Sequence, residues 1–395
     1  MALAVAPRLL PGPLPQPCPP SGAQAAWYAG VEALSEVERP LDILLTIAEL
    51  AAITFTVLPL VRRGVWWIRI FDFPRIQITV VSALILAADF AFRTDAGPGA
   101  HVLRAVLIFA ILYQAHKIRP YTILAGKQVE AAKKPRKETT LSLALANVKM
   151  GNRNSALLRD ILLEAGPDVI LILEADQWWR RELGSFVKTH PFTLQQPQDN
   201  FYGMLLFSRV ELVRPEVRFL VEKDVPSMHA GVKLPGGSEV ELYCLHPKPP
   251  VPQESGQSTE RDAELMIVGK EVERKDLPTV VFGDLNDVAW SHTTLLFQKI
   301  SRLVDPRIGR GLYNSFHASY LFLRFPLDHF FHSTHFRLIE LKRLAYFGSD
   351  HFPMYVRLSC EPEAQRQQKT PAAGASDHSQ AREKIEEAGT DGSLR

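Results

Sequence analysis

Residues Phe347 to Leu358 read "FGSDHFPMYVRL". A Gly-Ser turn delivers Asp350 and His351 directly into an alternating apolar strand of Phe352, Met354, Val356 and Leu358. Alone, the pair reads as turn chemistry, with Asp350 accepting nearby backbone N–H groups and His351 solvated. The chain upstream changes that reading. Runs with strand character recur as "LSLALANV", "DVILILEA", "YGMLLFSR", "EVELYCLH", "TVVFGDLN" and "LDHFFHS". Most of them border a carboxylate, amide or imidazole: Asn147, Glu174, His246, Asp284 with Asn286, Asp328, and finally Asp350 with His351. One such ending is ordinary, but a series of them points to convergence. Helical patterns lie between some runs, notably "RNSALLRDILLEAG" before Pro167 and "ERDAELMIVGKEVERK". Strands alternating partly with helices predict a layered α/β fold with its site at strand ends.

A hard divalent cation takes carboxylate and amide oxygens and shares its shell with substrate phosphate. Glu174 and Asn147, ending two runs separated by one helix, suit a sparse Mg²⁺ site. The bulk composition agrees with that chemistry. Cys18, Cys244 and Cys360 form neither a CxxC pattern nor a disulfide framework, which speaks against structural zinc. A net charge of +2 gives no global argument for a polyanionic partner. With 395 residues and 46% hydrophobic content the chain has room for more than one ordered domain.

Residues 1–40 carry "PGPLPQPCPP" and read as an extended, mobile Pro-rich arm rather than a signal peptide. Residues 41–121 read as a transmembrane region of about three helices. The first, Ile43 to Val61, contains Glu49, which costs about 3 kcal/mol at a bilayer centre, against roughly 3–7 kcal/mol returned by the apolar residues around it. Ile76 to Phe92 and Ala100 to Ala115 follow, with Asp89 and Arg104 flanking the intervening loop and placed to pair or snorkel. Trp66, Trp67 and Phe71 beside Arg63, Arg69 and Arg75 read as an interfacial belt. Residues 122–140 form a basic linker, 141–360 the globular unit, and 361–395 a polar, disordered tail.

Taken together, "ANVKMGNRN", "VILILEAD", "YGMLLFSR", "LHPKPP", "FGDLND", "FPLDHFF" and "FGSDHFP" resemble, in order and spacing, the endonuclease/exonuclease/phosphatase superfamily. The segment "WWIRIFDFPR" is similar to the bacterial membrane-tethered branch of that superfamily. The resemblance implies a DNase I-like α/β (α+β) fold, a four-layer β-sandwich flanked by helices. It also implies a Mg²⁺ (or Mn²⁺) cofactor and a phosphate-ester substrate, whether nucleic acid, phospholipid head group or small phosphoester. Carried across, Glu174 becomes the principal metal ligand, with Asn147 and Asp350 in the same shell. Asp284 positions or activates water, Asn286 binds phosphate or the nucleophile, and His246 donates to a phosphate oxygen. Asp328 orients His351, which serves as base or as transition-state stabiliser. Asp176 and Asp287 read as local turn acceptors and His329 and His332 as structural or solvated, while Arg209 and Arg261 either face substrate phosphate or are ordinary surface arginines. "NSFHASYLFLRFPLDHFF" departs from the aromatic-proline turn of many relatives, which leaves the substrate-side wall unassigned.

The expected protein is a membrane-anchored, metal-dependent hydrolase of phosphate esters in a bacterial inner membrane, with no obligate protein partner. Loop charge favours a cytoplasmic domain whereas the tethered branch favours the opposite side, so the side stays open. The alternative is a catalytically silent membrane scaffold of the same fold.

Overall fold

The computed structural model describes residues 22–94 and 96–389. The first 21 residues of the expected Pro-rich arm lie outside these. From Gly22 the arm expectation fails, because the chain is already helical: α1 spans Gly22–Val57 and carries Pro40 internally. A four-residue helix, α2 (Trp66–Arg69), leads into α3 (Arg75–Phe92) and α4 (Pro98–Ile118). Three helices here are long and apolar enough to cross a membrane.

The charges inside this bundle are paired. Glu49 is fully buried and accepts from Arg93 at 2.8 Å, while Asp89 accepts from both Arg93 and Arg104. At the other end, Arg75 donates to Gln114 at 2.8 Å and to Asp72 at 2.6 Å. Arg69 also pairs with Asp72, at 3.1 Å. Arg69 and Arg75 are therefore buried internal cations, not members of an interfacial belt; an aspartate three residues away from each had neutralised them.

The globular unit follows as β1 (Thr140–Asn147), α5 (Ser155–Ala165), β2 (Val169–Leu173), α6 (Gln177–Glu182), β3 (Phe192–Gln196), β4 (Met204–Ser208), β5 (Leu212–Arg218), β6 (Ser227–Lys233) and β7 (Glu239–Leu245). It continues with α7 (Thr259–Arg274), β8 (Thr279–Asp284), α8 (His292–Ser301), β9 (Asp328–His332), β10 (Phe336–Arg343) and β11 (Met354–Cys360). Two mixed sheets result, ordered β10-β11-β1-β2-β4-β3 and β5-β6-β7-β8-β9.

Alternation builds the layers. Leu141, Leu143 and Leu145 of β1 face the second sheet and meet Leu242, Cys244, Val280 and Phe282. Ala144 and Ala146 of the same strand face α5 and α6, against Leu158, Leu162 and Trp179. On the far side Tyr243, Leu245, Val281 and Phe331 receive α7 and α8. Period-2 strands buried on both faces thus give helix, sheet, sheet and helix in succession. Each fully buried Leu or Phe contributes about 1.5–3 kcal/mol. The helix α5 stops where Gly166 takes φ 59°, a left-handed conformation that glycine adopts without a Cβ penalty.

Two expectations about the flanks need correcting. The basic linker is packed: Val129 is buried, and Glu130 and Ala132 exchange backbone hydrogen bonds with Leu338 on the edge strand β10. The described part of the tail, residues 361–389, is ordered as well, forming α9 (Ala375–Glu387), whose Lys384 reaches Asp262 at 2.6 Å while Ala381 is buried against α7 and α8; residues 390–395 lie outside the described residues. Its low apolar content suggested disorder, yet a few anchored side chains suffice once a buried carboxylate awaits the lysine.

Candidate active site

Strand direction assembles the site. β1 and β2 run parallel, with Asn147 opposite Leu173, so Asn147 and Glu174 emerge at one end. β11 runs antiparallel to β1, with Met354 opposite Leu145, which brings the start of β11 and hence Asp350 and His351 to that end. In the second sheet Leu245 lies opposite Gly283 and Asp284 opposite Asp328. His246, Asp284 and Asp328 are thereby delivered together. Gly283 is required here, since a Cβ at its φ of 154° would stand 1.9 Å from the Leu245 carbonyl oxygen.

Across the two sheets the groups interlock. The Asn147 side-chain amide donates to Glu174 Oε1 at 2.8 Å and to Asp284 Oδ2 at 3.1 Å. His351 Nδ1 lies 2.8 Å from Asp328 Oδ2, and its Nε2 lies 3.4 Å from Asp284 Oδ2. Glu174 itself takes φ 57° at the strand end, which aims its carboxylate back over β1. Asn286, at φ 49°, donates its backbone N–H to Asp284 Oδ1 at 2.9 Å and its side-chain amide to the Pro247 carbonyl at 2.9 Å. Asp350 sits at the rim, paired with Lys149 at 3.1 Å.

Burial sets the electrostatics. It pushes Glu174 up to about 7 and raises Asp284 as well. It takes His246 down to about 4, leaving a neutral imidazole whose buried Nδ1 has no partner. For His351 burial acts downward too, but the carboxylates of Asp328, Asp284 and Asp350 overcome it and hold the imidazole up at about 10. At neutral pH His351 is therefore an imidazolium clasped between carboxylates.

The donor set fits a hard divalent cation. The half-buried Glu174 and the buried Asp284 are carboxylates with only a neutral amide between them, and such a pair gains most from a cation. Asp284, Asp328 and His351 also lie close enough for their ligand atoms to share an ion. A clasped imidazolium has no free lone pair for that purpose, so the Glu174 side is the better cradle.

Several residues that complete the site carried no recognisable signal. Arg261 is not a surface residue. It is fully buried on α7, pairs with Asp262 at 2.9 Å and donates to the Asn286 carbonyl at 2.8 Å. Ser349 donates from Oγ to the Asn147 carbonyl at 2.8 Å and accepts from the His351 N–H at 3.1 Å, tying the end of β1 to the approach to β11. Phe316 packs its ring 4.9 Å from that of His351 and supplies the wall left unassigned by the sequence. Asp176 and Asp287 behave as the local acceptors expected, capping Trp179 N–H and Val288 N–H at 2.9 Å each. His329 and His332 are buried and structural, and Arg209 only reaches the Gly166 carbonyl.

Two mixed sheets between helices, with acid, amide and imidazole groups meeting at their common edge, define a DNase I-like hydrolase fold. The chain belongs to the Endonuclease/Exonuclease/phosphatase family, whose model matches residues 144–351, more than half of the 395-residue chain. Among solved structures it is similar to an endonuclease/exonuclease/phosphatase from Beutenbergia cavernae, at 18% identity over 56% of this chain and 72% of that one, with a TM-score of 0.46. It is also similar to the mannosyl-6-phosphatase Bt3783 of Bacteroides thetaiotaomicron, at 17% identity over 55% and 99% and a TM-score of 0.46. A third is D. rerio TDP2 complexed with a single-strand DNA product, at 16% identity over 56% and 99% and a TM-score of 0.47. A comparison with curated protein sequences gives no match.

Proposed function

We propose that the protein is a membrane-anchored phosphodiesterase that hydrolyses phosphate esters with a bound Mg²⁺ or Mn²⁺. The observation that carries the reading is the junction of Asn147 and Glu174 from one sheet with Asp284 from the other, bridged by one amide at 2.8 and 3.1 Å. Glu174 is the principal metal ligand, with Asp350 at the edge of the shell and Asn147 holding the carboxylates in place. When bound, the cation neutralises the charge gathering on the phosphoryl oxygens.

The protein groups do the remaining work. Asp284 accepts a proton from the attacking water, a role its raised pKa favours. The water oxygen bonds to phosphorus while the ester P–O bond breaks, and the leaving alkoxide takes up a proton from solvent, giving a monoester and an alcohol. His351, charged and oriented by Asp328, stabilises the developing negative charge as a donor and is not a base. His246 and Asn286 add neutral donors to the phosphate oxygens. The three apolar helices hold the domain at a bilayer. A silent scaffold is the poorer reading, because every position the family uses is filled and buried charge is costly to keep without a task.

The test is turnover of bis-p-nitrophenyl phosphate by full-length protein with Mg²⁺ or Mn²⁺. Activity that vanishes on chelation and in Glu174→Ala and His351→Ala supports the reading; no turnover with either ion abandons it.

A further inference from the structure

The cavity above the site, about 350 Å³, has two unlike halves. Its floor is the polar cluster of Glu174, Asp284, Asn286, Asp350 and His351. Its wall is mostly apolar: Trp66, Ile70 and Phe73 supply part of it, together with Val251, Phe316 and Leu327, with Arg69 beside them. The first three do not belong to the hydrolase domain. They lie in the short connection between α1 and α3, where the chain turns round between two helices long enough to cross a membrane. An active site walled by such a connection opens at the level where the bundle ends.

A second, separate observation marks the same level. Tyr320, Leu321, Phe322 and Leu323 are consecutive large apolar residues, each 51–82% exposed. A soluble loop rarely presents such a run. The loop follows Phe316, which packs on His351, and it is tied to the bundle where Gln77, near the start of α3, donates to the Phe322 carbonyl at 2.6 Å. Ile123 and Leu124, just beyond the end of α4, are exposed at the same end, as are Trp67 and Ile70. Aromatic and aliphatic side chains gathered around a helix-bundle end are what the boundary of a bilayer covers.

We infer that the substrate is a membrane-resident lipid phosphoester, whose apolar chain lies along Trp66, Ile70 and Phe73 while its phosphate reaches the polar floor. The inference rests on the anchored-hydrolase reading above and names the substrate class for that site. Tyr320–Leu323 dips into the interface and holds the pocket mouth there. A water-soluble ester can reach the same floor but leaves the wall unfilled.

A matched pair of chromogenic diesters isolates the chain: hexadecyl p-nitrophenyl phosphate in phosphatidylcholine vesicles and methyl p-nitrophenyl phosphate in solution. In each, water bonds to phosphorus and p-nitrophenolate leaves with the electrons of the broken P–O bond. Full-length protein reconstituted in the vesicles with Mg²⁺ or Mn²⁺ is expected to favour the hexadecyl ester at least tenfold in kcat/KM. Trp66→Ala with Ile70→Asp should bring the ratio of the two esters toward unity. Phe322→Asp alters a side chain already in solvent, keeps the fold, and should lower the same ratio. Equal kcat/KM for the two esters, or a ratio untouched by both variants, overturns the inference and leaves the hydrolase standing. Turnover of neither ester removes the hydrolase reading, and this inference with it.

Discussion

The indole Nε1 of Trp290 donates to the backbone carbonyl of Asp72 across 2.7 Å, joining positions 218 residues apart in the chain. Trp290 follows the Asp284–Asn286 loop, and Asp72 closes the turn between the first two apolar helices. Around this bond Tyr121, Phe73 and Ile76 pack with Leu327 and Val288 into one cluster, and Tyr121 donates to the Ala289 carbonyl at 2.6 Å. The Asp284–Asn286 loop is thus braced by the helical region. A chain starting at Thr122 loses three apolar side chains from that cluster, on the order of 5 kcal/mol of burial. Thermal unfolding should show a midpoint well below that of the full chain in detergent, with Trp290 emission shifted to the red. An unchanged midpoint would mean the brace contributes nothing.

His351 should lose its charge early when its partner is neutralised. With Asp328→Asn, one of the carboxylates that hold the imidazole at about 10 is gone, so its pKa falls. Activity that depends on the imidazolium then declines at lower pH than in the wild type, and the alkaline limb of the pH–rate profile moves to the acid side. Turnover near neutrality should drop roughly 10²–10⁴-fold. An alkaline limb that stays in place would remove His351 from the donor role.

Glu174→Gln separates metal binding from folding. Burial holds the Glu174 carboxylate at about 7, so the neutral amide relieves a cost in the metal-free protein above that pH. The variant should therefore fold at least as stably as the wild type without metal. Adding Mg²⁺ or Mn²⁺ should raise the wild-type midpoint and leave the variant's unmoved, a comparison that calorimetry makes without any substrate.

Glu264, on α7, provides a pH test away from the site. Burial first, and then the Glu222 charge, push it up to about 8, and its Oε1 has no hydrogen-bond partner. The folded-state pKa lies above the unfolded value of 4.5, so folding favours the protonated form. Its contribution is full below that unfolded value and is lost as pH rises through about 8. Glu264→Gln should match the wild type at acid pH and exceed it at alkaline pH by on the order of 5 kcal/mol. Parallel stability curves for the two proteins across that window would contradict the assignment.

Legibility followed burial. Strands β1, β2, β4, β7, β8, β9 and β11 were readable because both faces are covered, leaving continuous apolar runs. Strands β3 and β5 are half-exposed hairpin strands with mixed side chains, and β6 and β10 alternate too weakly to be told from loop. The helix α9 escaped because its stability comes from Lys384 meeting Asp262, a long-range pair that no local pattern records. The burial of Arg261 has the same origin, since beyond its neighbour Asp262 its guanidinium meets Asp287 and the Asn286 carbonyl on a loop distant in sequence.

The order of strand-end acids, amides and imidazoles was written in the chain itself, since residue type and position need no folding to be read. So were the apolar spans, whose length and composition are local properties. Which nitrogen of His351 faces which carboxylate, that one amide spans both sheets, and that Trp66, Ile70 and Phe73 wall the pocket were decided only in three dimensions. Those contacts join segments far apart in sequence, and their geometry depends on strand register and sheet packing, which emerge when the two apolar faces close on each other.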